Sequence, residues 1–214
     1  MEYKVVSVNV SKVITDTYKK KELQTGIYKK PIQEKVYVSS LQITGDEQAD
    51  LVNHGGVDKV ICAYPYDHYP FWSKELGMEL KPGAFGENFT IEGLTEDQVH
   101  IGDIFGIGEV EVQVSQPRQP CFKVGHKLGN EQLPVLIQNT GFSGYYFRVL
   151  KEGYIVPGDC LQLLKKHPKK ITISFVNQIK YQDKYNQEAL ETLVNLQELS
   201  EGWRDSFRNR LIKA

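Results

Sequence analysis

The apolar pattern of this 214-residue chain changes its period once, near Lys165–Lys170, and that change limits the architectures open to it. Before it, apolar residues alternate with polar ones or come in short runs; after it, they recur every third or fourth residue. A period of two puts successive side chains on opposite faces of a strand, whereas a period near 3.6 lines one face of a helix. The sharpest alternation is Glu109-Val110-Glu111-Val112-Gln113-Val114, with its valines on one face. Val5, Val6, Val8, Val10 and Val13 crowd the opening segment, and β-branched residues favour a pleated surface. Glu34–Val38, Tyr145–Leu150 and Cys160–Leu164 extend the set, and the run Lys59–Tyr64 predicts a strand buried on both faces. Gly102-Asp103 and Gly158-Asp159 punctuate the chain before apolar strands, glycine supplying positive φ and aspartate capping the turn. Many short strands between Gly and Pro turns predict a barrel or sandwich over residues 1–165.

Short helices are expected to interrupt the strands. Asp67–Leu76 carries Tyr69, Trp72 and Leu76 at helical spacing, with Pro70 in the first turn. Lys165-Lys166-His167-Pro168-Lys169-Lys170 reads as a solvated hinge. Beyond it, Leu190, Leu193, Val194 and Leu196 form one stripe and Trp203, Phe207 and Leu211 another, with Ser200 placed to cap the last helix. Residues 170–214 are too few to bury a core alone, so this helical unit is expected to pack on itself and dock on the barrel.

Composition excludes several classes. Hydrophobic residues at 40% and charged residues at 25% rule out a disordered or collagen-like chain. A net charge of −1 creates no field toward nucleic acid or anionic lipid, and neither is expected as a partner. No run approaches the roughly 18 apolar residues of a membrane helix. The start, Met1-Glu2-Tyr3-Lys4-Val5-Val6, has no basic leader followed by an apolar stretch, so a cytoplasmic location is expected. Cys62, Cys121 and Cys160 have no CxxC spacing, which predicts reduced thiols and no disulfide framework.

Four segments carry residues suited to chemistry. In Ser115-Gln116-Pro117-Arg118-Gln119-Pro120-Cys121-Phe122-Lys123 a strand gives way to a proline-fixed loop and a cysteine. Arg118 and Lys123 flank Cys121, His126 follows, and a helix opening at Pro120 would add its amide end; all favour a thiolate, which reacts or binds metal. Cys62 and Cys160 lie in apolar strands and read as small core residues. In Gln48–Lys59, Gly55 and Gly56 open the backbone to a ligand beside His54 and Lys59, although two glycines before a strand are also simply a turn. Gly83–Thr90 is again glycine-rich, and its Glu87 and Asn88 suit either ligand binding or bonding within the loop. In Thr140–Arg148 the aromatics read as core, while Thr140, Ser143 and Arg148 suit an anion. A GxSxG elbow, a Walker A loop, GxGxxG and HExxH are all missing, and the five histidines are scattered, which argues against a zinc site.

Together, QADLVNHGGVDKVICAYPYDHYPFW, PGAFGENFTIEGLTEDQVHIGD, VSQPRQPCFKV and TGFSGYYFRVLKEG resemble, in the same order, the bacterial YiiM-type MOSC proteins. The resemblance runs from about Ser7 to Leu164, and the tail ending Trp203–Leu211 is similar to their C-terminal three-helix domain. It implies a mainly β fold with α: a MOSC-type β-barrel with short helices over 1–165, then a small helical domain over 170–214. It implies a molybdenum cofactor, a pterin dithiolene with a phosphate tail, whose protein ligand is Cys121. Thiolate suits such a soft site. His54, Gly55, Gly56, Lys59, Asn88, Arg118 and Gln119 are assigned to the cofactor pocket on the same basis. The activity implied is removal of oxygen from N-hydroxylated compounds, such as 6-hydroxylaminopurine or amidoximes, with electrons from a separate reductase. A carrier or sulfur-handling module for the cofactor is the alternative. Pyridoxal phosphate is also associated with MOSC proteins. In the sulfurases it belongs to a separate aminotransferase-like domain, for which 214 residues leave no room, so it is not expected here.

Overall fold

A computed structural model describes residues 1–50 and 55–212. Its strands are β1 (Glu2–Val10), β2 (Ile14–Tyr18), β3 (Lys21–Thr25), β4 (Lys30–Pro31), β5 (Val36–Val38), β6 (Ile61–Pro65), β7 (Phe89–Glu92), β8 (Ile104–Ile107), β9 (Val110–Pro117), β10 (Tyr145–Lys151), β11 (Gly153–Ile155) and β12 (Cys160–Lys165). The helices are α1 (Tyr69–Leu76), α2 (Phe122–Lys127), α3 (Leu133–Thr140), α4 (Ile173–Tyr181), α5 (Gln187–Val194) and α6 (Glu201–Leu211).

Seven strands close a barrel in the order β12-β8-β9-β10-β6-β7-β1, and β1 returns to β12 through Glu2↔Gln162, Tyr3↔Leu161 and Lys4↔Cys160. Closure removes the sheet edges that would otherwise leave backbone groups unpaired. The β6–β7 pair is parallel and the other barrel pairs are antiparallel. A parallel pair needs a long crossover. Here α1 and the glycine-rich loop before Phe89 supply it. In β9, Val110, Val112 and Val114 are buried as the alternation requires, but the strand then runs on through Ser115 and Gln116 to Pro117, all buried. All five residues of β6 are buried, as the apolar run predicted.

The apolar interior of the barrel is continuous with that of the helical tail. Ile61, Phe89, Val112 and Phe147 belong to one cluster with Ile173, Leu190, Leu193, Trp203 and Phe207. A smaller cluster under α1, α2 and α3 holds Tyr64, Trp72, Phe85, Val124 and Leu133, with the Tyr64 and Phe85 rings stacked at 4.2 Å.

Several expectations need correction. Glu34–Val38 contributes only β5, which pairs with β11 outside the barrel. Cys160 is exposed, not a core residue: β12 turns Leu161 inward, and the period of two sends Cys160 and Gln162 outward. The basic segment before α4 is not a free hinge. His167 N donates to Asp103 at 2.7 Å, and backbone bonds join Ile101 to Ile171 at 2.8 Å and Ile173 to Val99 at 3.1 Å. The β2–β3 hairpin carries mostly polar, exposed side chains, so it has no apolar period to reveal it.

Candidate functional site

At the end of β9 the backbone N–H of Arg118 donates to Gly144 O at 3.0 Å, tying the departing loop to the start of β10. Cys121 follows as the N-cap of α2, extended at φ −115° and ψ 165°, and its carbonyl accepts from Val124 N at 3.2 Å. Pro120 therefore lies just before the cap and does not open the helix. Cys121, Arg118 and Gln119 form one wall of a cleft. Cys62 from β6, Tyr146 from β10 and Lys59 line the same cleft. Cys62 and Tyr146, core residues by their sequence pattern, are buried but also face this site.

The opposite wall comes from the segment after β3 and from the loop before β7. Gly86 holds φ +79°, and a Cβ there would stand 2.5 Å from Ile27 Cγ1, so only glycine permits this approach. The loop is organised by its own buried carboxylate. Glu87 accepts from Gly83 N at 2.8 Å, Phe85 N at 3.0 Å, Thr90 Oγ1 at 2.7 Å and the Tyr69 hydroxyl. Asn88 lines the cleft, yet its amide serves the protein. Oδ1 accepts from Cys62 N at 3.1 Å, and Nδ2 donates to Asp46 at 2.9 Å and Asn9 O at 3.2 Å. Asp46 also forms a buried ion pair with Lys29, a cleft residue with no motif to announce it in the sequence.

Arg118 is buried; its Nη2 donates to Phe85 O at 2.6 Å, while its buried Nη1 has no partner among the described residues. Burial opposes its charge, but its acidic neighbours outweigh burial and the guanidinium stays charged. Burial pushes the Cys62 thiol up against the pull of Arg118, and pushes the Tyr146 hydroxyl up with Cys62 adding to it. Both therefore stay protonated at neutral pH. Burial pulls Lys59 down, opposed by Asp50 and Asp58.

The residues singled out from sequence divide between two clefts. Lys59, Asn88, Arg118, Gln119 and Cys121 line the first. Gly55 and Gly56 line a second, where Lys59 and Gln119 appear again. His54 lies outside the described residues. The suggested anion group of Thr140, Ser143 and Arg148 does not form: Arg148 pairs with Asp58 at 2.7 Å, Ser143 donates to Gly144 O, and Thr140 bonds back to Leu136 O. His126 Nε2 pairs with Asp16 of the hairpin, at 2.9 Å. Among the described residues no three His, Cys, Asp or Glu side chains are grouped to hold a metal ion.

A closed seven-stranded barrel with a cysteine at the end of β9 and a docked helical tail defines a recognisable class. Residues 50–162 match the model of the MOSC domain, and residues 171–214 match that of the YiiM-like 3-alpha helix domain. The chain belongs to the MOSC family, in its YiiM-type form. YflK of Bacillus subtilis (strain 168) is 48% identical over 208 residues, 97% of this chain and 94% of that protein. The crystal structure of YiiM from Geobacillus stearothermophilus superposes with a TM-score of 0.84 at 40% identity, covering 98% of this chain and 99% of that one. A protein of Gibberella moniliformis (strain M3125 / FGSC 7600) named "Reductase" is 37% identical over 153 residues, 69% of this chain and 27% of its own length. No described helix is long and apolar enough to cross a membrane.

Proposed function

We propose that this protein is a molybdenum-cofactor-dependent reductase of N-hydroxylated compounds, with Cys121 as the protein ligand of the metal. The observation that carries the reading is one cleft holding both Cys121 and a buried guanidinium with an unspent donor, Arg118 Nη1. The donor set fits the group: a thiolate is a soft ligand, and a buried cation suits an anionic pterin. When bound, the cofactor would supply the two-electron chemistry, with electrons from a separate reductase. The balance is R–NH–OH + 2 e⁻ + 2 H⁺ → R–NH2 + H2O. The fungal relative, of which the match covers 27%, is named a reductase, which supports reductive chemistry in a protein that carries a domain of this kind.

The chain's own residues have separable tasks. Cys121 presents sulfur from a position set by the β9 end and the first turn of α2. Arg118 binds the anionic ligand, and its bond to Phe85 O fixes the guanidinium. Tyr146 keeps its proton on Oη and offers a hydrogen bond without charge.

Protein made in a cofactor-competent host should contain molybdenum and pterin and oxidise a reduced dye with a hydroxylaminopurine or amidoxime. Cys121→Ser should stay folded, being nearly isosteric, and lose about a hundredfold or more of this turnover. Undiminished turnover in Cys121→Ser would remove Cys121 from the mechanism. A second thiol in the cleft, Cys62, favours one other reading, a carrier or sulfur-handling module. It predicts bound cofactor with no turnover in the wild type.

A further inference from the structure

The second cleft lies between the barrel and the helical tail. The Gly55–Lys59 turn, Gln116 and Gln119 form its barrel side; Lys180 of α4 and the start of α6 form the other. Lys59 and Gln119 line both clefts, so the two are neighbours.

Its polar groups are mostly donors, and several are unspent. Lys180 Nζ donates to Ser206 Oγ at 2.6 Å and lies 5.1 Å from the Trp203 ring centre, yet no carboxylate among the described residues pairs with it. Arg210 lies close by, its guanidinium donating to Ile179 O and Lys180 O. Asp58, the acid of this cleft, is held by Arg148 at 2.7 Å. Ser200 occupies the N-cap of α6 but makes no capping bond: it is 4% exposed and its Oγ has no partner. Trp203 N and Arg204 N both donate to Ser200 O, whereas no described group accepts from Gly202 N. At Gly202 and at Gly56 (φ +96°) a Cβ would meet nothing within 4 Å, so both backbones stand open.

A lysine without a carboxylate, an unpaired hydroxyl and the first-turn amide of Gly202 call for a multivalent anion with acceptor oxygens, which a phosphomonoester supplies. The Cys121 cleft has its own unspent cation in Arg118, so these donors are surplus to that site. We propose that the second cleft binds the phosphate of the substrate, making phosphorylated N-hydroxylated compounds of the nucleoside-monophosphate type preferred over the free base. The substrate then spans both clefts, with its N-hydroxyl end at Cys121. This assignment rests on the reductase reading.

The test measures binding, independent of turnover, on cofactor-loaded protein and on the protein before loading. Adenosine 5′-monophosphate and inorganic phosphate should shift the backbone amide resonances of Gly202 and Gly56. The monophosphate should bind at least about tenfold more tightly than adenosine, the contribution of one charge-assisted contact. Lys180→Met, which keeps a stem over Trp203, should erase that preference, and the gentler Ser206→Ala should weaken monophosphate binding severalfold. Cys121→Ser should keep the preference whether or not it keeps activity, which separates this proposal from the reductase reading. Equal binding of nucleoside and monophosphate, or a preference intact in both tail variants, would overturn it. Loss of phosphate binding on loading would also overturn it, because the cofactor's own phosphate would then fill the cleft.

Discussion

Two glycine-rich loops look alike in the sequence and do opposite things in the fold. Gly83–Thr90 and Gly55–Lys59 each combine glycines with a carboxylate shortly before an apolar strand. In the first, the Glu87 carboxylate sits inside the loop and accepts from two of its amides and two hydroxyls. In the second, Asp58 pairs with Arg148 instead, and Gly56 stands open to a cleft. The first loop is scaffold because its polar valence is consumed internally. The second has backbone to offer a ligand because its acid is engaged elsewhere. Glycine content alone does not separate a wall from a binding surface; the fate of the nearest carboxylate does.

The largest effect should come from breaking the closed loop. Glu87→Ala strands several buried donors and should cost about 4 kcal/mol or more. Calorimetry showing a loss under about 1 kcal/mol would refute the organising role of Glu87. Arg118→Ala tests the open side of the same cleft and should weaken cofactor retention by about 1.5–3 kcal/mol, read as pterin lost on dialysis. Titration sharpens the contrast further. Lys127 Nζ donates to Gly83 O at 2.6 Å and Ile27 O at 3.0 Å, tying the closed loop to the segment after β3. Burial, opposed by Glu87 and joined by Arg118 and Lys29, pulls Lys127 from 10.5 down to about 8. The unfolded chain thus holds this proton to higher pH than the folded one. The contribution of Lys127 should raise stability from about pH 8 toward 10.5, by at most about 1.4 kcal/mol per pH unit, and disappear as pH falls through 8. Comparing denaturant midpoints of wild type and Lys127→Met across that range isolates the contribution of this lysine. The smallest change belongs to the open loop. Gly56→Ala meets no neighbour and should cost only the backbone penalty of φ +96° with ψ 164°, about 1–3 kcal/mol, while perturbing the second cleft. A larger loss would mean that this turn, too, is scaffold.

Much of the architecture was legible because periodicity is a local property. The valines of β9, the buried run of β6 and the stripes of α5 and α6 appear in the fold where their spacing put them. Ser200 does sit at the cap of α6, although its hydroxyl makes no capping bond. What spacing could not show was the facing of residues on elements far apart in the chain. Cys62 and Cys160 both occupy apolar stretches, yet one lines the Cys121 cleft and the other is exposed on the barrel's outside. Arg148 looked as available as Arg118, but it is spent on Asp58, ninety residues away.

The sequence by itself therefore determined the element types, the change from strand to helix near Lys165–Lys170, and the motif that places Cys121 after a strand end. Only the tertiary structure decided which polar groups remain unspent. Tertiary packing brings Lys29 to Asp46, Asn88 to Cys62 and Arg148 to Asp58, engaging those groups within the protein. Docking of the tail sets Lys180 and the start of α6 opposite the Gly55–Lys59 turn. A side chain's chemistry is written in its identity, but its availability depends on whether a complementary group reaches it. That is a property of long-range contacts, which no local pattern encodes.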